Sequence, residues 1–170
     1  FRSDGPYSDN RHPDKIQFSD ARHDALRRDF TINGMFEDPI EDKIIDYVGG
    51  KEDMQNRVIK AIGDPHERIA EDHLRMLRAI RFAARFEFSI ECETGNAIRE
   101  CSHQLSGISR ERIGEEIKKM LMNQNRGVAA WEIQYLGLDR VIFAEESFMN
   151  APTRLGRLAS NASYSAALAA

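Results

Sequence analysis

Cysteine is scarce in this chain: Cys92 and Cys101 are the only two among 170 residues. Two thiols with no Cys-x-x-Cys spacing exclude a disulfide scaffold and fit a reducing compartment, so a cytoplasmic location is expected. No histidine pair has His-x-x-x-His spacing, which argues against a zinc site built by the protein. Apolar runs are short, and none approaches the ~18 residues of a membrane span. No membrane partner is expected, and no basic stretch leading into an apolar one marks a secretory leader. Proline is sparse, at five residues, and glycine does not recur with a period, which excludes collagen-like and proline-rich architectures. An excess of positive charge is missing too. The net charge is −4, so any contact with nucleic acid must come from a local patch.

What is present suits a packed protein. The apolar fraction of 41% can build a core, and the charged fraction of 31% is above average. Residues 1–19 carry Gly, Pro, Ser, Asp and His and read as an irregular loop after a strand end. Ser19 or Asp20 caps an expected helix that runs to Asn33 and stops at Gly34. Met35–Asp38 and Lys43–Val48 are strand candidates, with Pro39 to Asp42 as a hairpin turn. A short polar helix is expected over 51–58. Asp64-Pro65 then opens a helix whose apolar spacing runs unbroken to Phe86, with Asp at the cap and Pro in the first turn. Further helices are expected over about 92–105, 109–122 and 126–136, with Trp131 packing beside Ile133 and Leu136. Residues 151–170 are rich in Ala and Ser and only weakly periodic. The pattern predicts an α+β chain: the back of an α/β domain over about 1–57, joined to an all-helical part.

Two segments carry candidate chemistry. In Arg27-Arg28-Asp29-Phe30-Thr31-Ile32-Asn33, guanidinium forks match phosphate oxygens. Asp29 can accept from a ribose hydroxyl, and Asn33 lies one helical turn on. A solvated helix end with an Arg–Asp pair explains the same residues. In the second segment, arginines at 68, 75, 78, 81 and 85 face only Glu67, Glu71 and Asp72. Asp72 and Arg75 are three apart. A carboxylate accepts from an exocyclic amine while a guanidinium donates to a ring nitrogen, so the pair can read cytosine and adenine and reject uracil and guanine. Arg78 and Arg81 are then left for phosphates or stacking. A ladder of helix-surface ion pairs, each worth about 0.2–0.5 kcal/mol, accounts for the same spacing.

Together, Arg27–Asn33, the Asp46-Tyr47-Val48-Gly49-Gly50 strand exit and Glu71-Asp72-x-x-Arg75-x-x-Arg78 resemble the class II tRNA nucleotidyltransferases (CCA-adding enzymes) and bacterial poly(A) polymerases. Ile108-Ser109-Arg110-Glu111-Arg112-Ile113 is similar to the segment that follows the family's base-reading helix. The resemblance covers roughly residues 1–145. It implies a remnant of a nucleotidyltransferase head over 1–57, a helical neck over 58–125 that reads the base and contacts RNA, and the start of a helical body over 126–170. It implies transfer of CMP and AMP from CTP and ATP to an RNA 3′ end, that of tRNA for CCA addition, with Mg²⁺. Poly(A) addition shares these motifs. By position, Arg28, Asp29 and Asn33 would serve the phosphates and sugar, Asp72 and Arg75 the base, and Arg78 and Arg81 the triphosphate. The family's metal-binding Asp-x-Asp has no counterpart in this sequence. Asp4 and Asp9 stand near where a third carboxylate belongs, in loop-like surroundings. The reading is therefore an N-terminally truncated enzyme, catalytically inactive alone, with the metal ligands upstream of Phe1. A catalytically silent RNA- or nucleotide-binding module and a helical interaction domain are the competing readings.

Overall fold

The computed structural model describes residues 2–4, 16–18, 20–143 and 151–169. Asp9 and Ser19 lie outside the described residues. Where residues 1–19 read as an irregular loop, two short strands form instead. β1 (Arg2–Asp4) pairs antiparallel with β2 (Ile16–Phe18), in the register Arg2 opposite Phe18.

Asp20 caps α1 (Ala21–Leu26) by accepting the His23 N–H at 2.9 Å. This helix stops well before Asn33. At its end the Arg27 and Arg28 side chains fold back onto Asp24. The chain then crosses to Lys60–Ile62: Thr31 N–H donates to Lys60 O and Ile62 N–H to Asp29 O. A single 3₁₀ turn covers Thr31–Asn33. The expected hairpin forms, with β3 (Met35–Asp38) against β4 (Lys43–Asp46). Asp38 closes its turn by accepting from the N–H groups of Ile40 and Glu41. The Asp46 carboxylate accepts from four N–H groups, those of Val48, Gly49, Gly50 and Lys51. It thereby anchors the start of α2 (Gly50–Gln55), shorter than the 51–58 expected. Val58 instead opens β5 (Val58–Ile59), which runs parallel to β6 (Ser89–Ile90).

The pattern from Asp64 to Phe86 is not one helix. Asp64 caps α3 (Pro65–Glu71) through the His66 and Glu67 N–H groups, and α4 spans Arg75–Phe86. Between them Asp72 is extended, with φ −152° and ψ 104°. Its carboxylate accepts the Leu74 N–H at 3.1 Å, offering the backbone an alternative to the helical bond. The periodicity survives the break because Ile69 on α3 and the apolar face of α4 enter the same core.

The helical part continues with α5 (Cys92–Cys101), a 3₁₀ segment Ser102–Gly107, α6 (Arg110–Leu121), α7 (Arg126–Tyr135), α8 (Asp139–Phe143), α9 (Ala151–Arg157) and α10 (Tyr164–Ala169). α4 is the central member: Met76, Leu77, Ala79 and Ile80 have no solvent exposure. They pack with Ile98, Leu105, Ile113, Ile117, Met120, Ile133 and Leu138. Phe30 and Ile59 join the same cluster, and Phe30 meets Phe82 edge-on at 5.9 Å. Each of the buried Leu, Ile, Met and Phe side chains contributes about 1.5–3 kcal/mol. Trp131 does not pack inward as expected. It is half exposed and stacks on Tyr135 at 4.8 Å. No described helix is long and apolar enough to cross a membrane.

Candidate nucleotide pocket

A cavity of about 600 Å³ opens where the segment after α1 meets the α3–α4 break and α6. Arg27, Arg28, Asp29, Asn33, Asp72, Leu74, Arg75, Arg78, Phe82 and Arg112 line it. Five arginines thus face two aspartates. The wall is positive although the chain as a whole is acidic.

The first segment is held by two carboxylates. Asp24 is buried and takes Arg27 Nε on one oxygen and Arg28 Nη2 on the other, both at 2.9 Å. Burial works to raise its pKa, but the two guanidiniums prevail and hold it below the usual carboxylate range. Arg28 also donates to the Asn33 carbonyl at 2.6 Å and lies over the Phe36 ring. Asp29 is also buried. Its Oδ1 accepts from Phe30 N–H and Asn33 Nδ2, both at 2.9 Å, and its Oδ2 from Arg78 Nε at 2.7 Å. Burial is again the largest influence, acting upward. Arg78, Asn33 and Phe30 together still bring the Asp29 carboxyl below its ordinary value. Asp29 and Asn33 therefore meet across a tight turn and not along a helix face.

The second segment is rearranged by the break in the helix. Asp72 and Arg75 do not pair with each other. Asp72 accepts from Arg112 Nη2 at 3.0 and 3.2 Å through its two oxygens. Arg75 Nη1 donates to the Arg68 carbonyl at 2.7 Å and to Glu71. Both members of the expected base-reading pair reach the cavity from fixed positions, each tied to an outside partner of opposite charge.

Arg81 lies elsewhere. Its Nε is 2.9 Å from Glu116 Oε2 on α6, and its guanidinium covers the Phe82 ring at 4.4 Å. Burial lowers its pKa, with Glu116 acting in the opposite sense. Six of the seven expected site residues therefore share the cavity wall, and Arg81 is not among its lining residues. Arg112 and Asp24 were not singled out from sequence. Arg112 is 40 residues from Asp72, and no local spacing links them. Asp24 carried a usable signal, standing three and four residues before Arg27 and Arg28.

Magnesium does not fit the residues described. Among them no cluster of three or more His, Cys, Asp or Glu could hold a metal ion. Both carboxylates in the cavity already face guanidiniums, which repel a divalent cation.

Residues 1–60 match the family description "Poly A polymerase head domain", and residues 87–145 match "Probable RNA and SrmB-binding site of polymerase A". The chain is 44% identical over 126 residues to a CCA-adding enzyme of Ligilactobacillus salivarius, covering 74% of this chain and 31% of that protein. It is 46% identical over 127 residues to a CCA-adding enzyme of Enterococcus faecalis, covering 74% and 31%. It is similar in structure to the Bacillus stearothermophilus CCA-adding enzyme in complex with CTP, with a TM-score of 0.76 at 30% identity over 96% of this chain and 38% of that one. A tRNA nucleotidyltransferase complexed with a primer tRNA and an incoming ATP analog gives 0.70 at 28% identity, over 76% and 39%. The chain spans about a third of the length of the curated relatives it matches.

Proposed function

We propose that this chain, which belongs to the family of tRNA nucleotidyltransferases (CCA-adding enzymes) and bacterial poly(A) polymerases, forms the incoming-nucleotide pocket of a CCA-adding enzyme. The whole protein then transfers CMP and AMP from CTP and ATP to a tRNA 3′ end in the cytoplasm, with Mg²⁺ as its metal. Residues 1–57 belong to the head, 58–125 to the neck and 126–170 to the start of the body. Since the described residues do not suit Mg²⁺, their share of the work is binding and base selection.

The observation that carries this reading is the convergence of Arg28, Asp29, Asn33, Asp72, Arg75 and Arg78 on one cavity with a net positive wall. A triphosphate is the charge complement of that wall, and Arg28 and Arg78 present forks suited to its oxygens. Asp29 sits beside them, its carboxylate taken up by Phe30 N–H, Asn33 and Arg78, and so holds the Arg78 guanidinium and Asn33 in place at the cavity wall. On the same cavity wall, Asp72 accepts the exocyclic amine of cytosine or adenine and Arg75 donates to the adjacent ring nitrogen. Uracil and guanine place a carbonyl against Asp72 and an N–H against Arg75, so both contacts turn repulsive. Arg81 supports the pocket from behind, through Phe82 and Glu116.

The test is calorimetric titration of the chain with CTP, ATP, UTP and GTP in Mg²⁺. CTP and ATP are expected to bind well above UTP and GTP. Asp72→Ala is expected to remove the preference while triphosphate affinity remains. Equal binding of all four by the unaltered chain would overturn the reading.

A further inference from the structure

We infer that the outer face of α7 carries a second RNA contact, a stacking seat for one unpaired nucleobase built from Trp131, Tyr135 and Arg99. The inference rests on the reading of the chain as part of an enzyme that acts on RNA. The seat stands apart from the nucleotide cavity, whose lining includes none of the three residues.

α7 has two unlike faces. Ala129, Ala130, Ile133 and Leu136 are buried. Val128, Trp131 and Tyr135, spaced by three and four residues, form a half-exposed stripe on the other side. Trp131 is the single tryptophan of the chain. Its ring lies on that of Tyr135, with the centroids 4.8 Å apart and the planes within 8° of parallel. From α5, Arg99 brings its guanidinium to 5.1 Å from the centre of the Tyr135 ring. Arg99 Nη1 also donates to Asn96 Oδ1 at 3.1 Å, which steadies it there. Ile98 on α5 and Ile133 and Leu136 on α7 enter one core, so both helices that supply the stack are fixed.

The chemistry of the stack names its partner. Indole, phenol and guanidinium are flat groups, and the indole keeps half of its surface in water. A nucleobase is a flat π-system that stacks on such a ring whatever its identity, and an arginine beside the ring adds to the attraction. The charge of Arg99 also draws the phosphates that flank a base. Because the stack exists before the partner arrives, binding orders little. A protein partner suits the stripe less well. Its three side chains offer roughly 300 Å² at half exposure, well under the roughly 800 Å² that each partner buries in a stable protein interface.

The experiment compares the unaltered chain with Trp131→Ala, Trp131→Phe and Arg99→Gln. Each is titrated with a single-stranded oligoadenylate of about twelve nucleotides and with an abasic ribose-phosphate strand of the same length. Since Trp131 is the single tryptophan, its emission reports on the seat itself. Oligoadenylate is expected to quench that emission as it binds, and the abasic strand is not. In Trp131→Ala the oligoadenylate affinity, followed by calorimetry, is expected to fall about tenfold, the size of one lost base stack. Affinity for the abasic strand is expected to change by less than about twofold, since its backbone contacts remain. Trp131→Phe keeps a ring and is expected to recover most of the loss; it also serves as the readout if Trp131→Ala does not fold. Arg99→Gln is expected to cost about threefold. CTP affinity is expected to be the same in all four proteins. Oligoadenylate binding without quenching, or with equal affinity in a folded Trp131→Ala, overturns the inference. So does self-association that Trp131→Ala abolishes while RNA affinity is unchanged, which would make the stripe a contact between copies of the chain. Absence of oligoadenylate binding overturns it as well, and the CTP titration of the same sample shows whether the nucleotide-pocket reading falls with it.

Discussion

The ion pair between Asp29 and Arg78 spans 49 residues and ties the segment after α1 to the central helix. Replacing Asp29 by Asn keeps the size of the side chain and an acceptor for the Phe30 N–H, removes the charge, and turns an amide donor towards the donating Arg78 guanidinium. The carboxylate is 9% exposed and the guanidinium 34%. A hydrogen bond between charged groups contributes about 1.5–3 kcal/mol. The partial exposure of Arg78 moves the expected loss to about 2 kcal/mol. A double-mutant cycle with Arg78→Gln, followed by urea unfolding, isolates the pair, and a coupling of about 2 kcal/mol is expected. The pH dependence has a definite sign. The folded Asp29 carboxyl lies below its unfolded value, so its contribution is complete above the unfolded pKa of about 4 and is lost as pH falls through the folded value. The difference between the unaltered protein and Asp29→Asn should hold between pH 7 and 5 and narrow below about 4. A coupling under about 0.5 kcal/mol, the level of an exposed pair, would refute the reasoning.

Two stability predictions concern other parts of the fold. A Cβ at Gly50 would stand 2.3 Å from the Thr31 carbonyl and 2.9 Å from Met35 Cγ, so Gly50→Ala must displace the backbone of the 3₁₀ turn. It is expected to cost about 1–3 kcal/mol by thermal unfolding, and a neutral result would mean that α2 does not press on that turn. Glu132 is half-buried on α7, and burial raises its pKa. A raised carboxyl favours folding below its unfolded pKa and loses that advantage as pH rises through the folded value. Glu132→Gln should therefore be close to neutral near pH 4 and stabilising near pH 7, by up to about 1 kcal/mol in urea melts. The opposite pH trend would show that a cation pairs with it.

The parts of the fold that were legible in the sequence are those fixed by neighbours in the chain. Asp64-Pro65 fixed a helix start, and Pro39 to Asp42 a hairpin turn. Ser109 marked the start of α6, because a capping hydroxyl and the N–H it receives are three residues apart. What the pattern missed depends on partners far away. Nothing between Glu71 and Arg75 breaks a helix by propensity: no glycine, no proline, and an apolar period that continues on both sides. The break becomes affordable only because Asp72 finds Leu74 N–H locally and Arg112 from 40 residues away. In the same way, α1 ends early because residues 29–31 bond to 60–62.

These two departures from helical geometry are what make the pocket. On one continuous helix from Asp64 to Phe86, Asp72 and Arg75 would be adjacent on a surface and free to neutralise each other. The break separates them and gives each a different partner, Arg112 for one and Glu71 for the other. The early end of α1 likewise turns Asp29 inward to Arg78 instead of along its own helix. A residue list can therefore be read from spacing while the geometry that brings it together cannot. That geometry is set by charges that reach across the fold and keep Asp72 and Arg75 from pairing with each other.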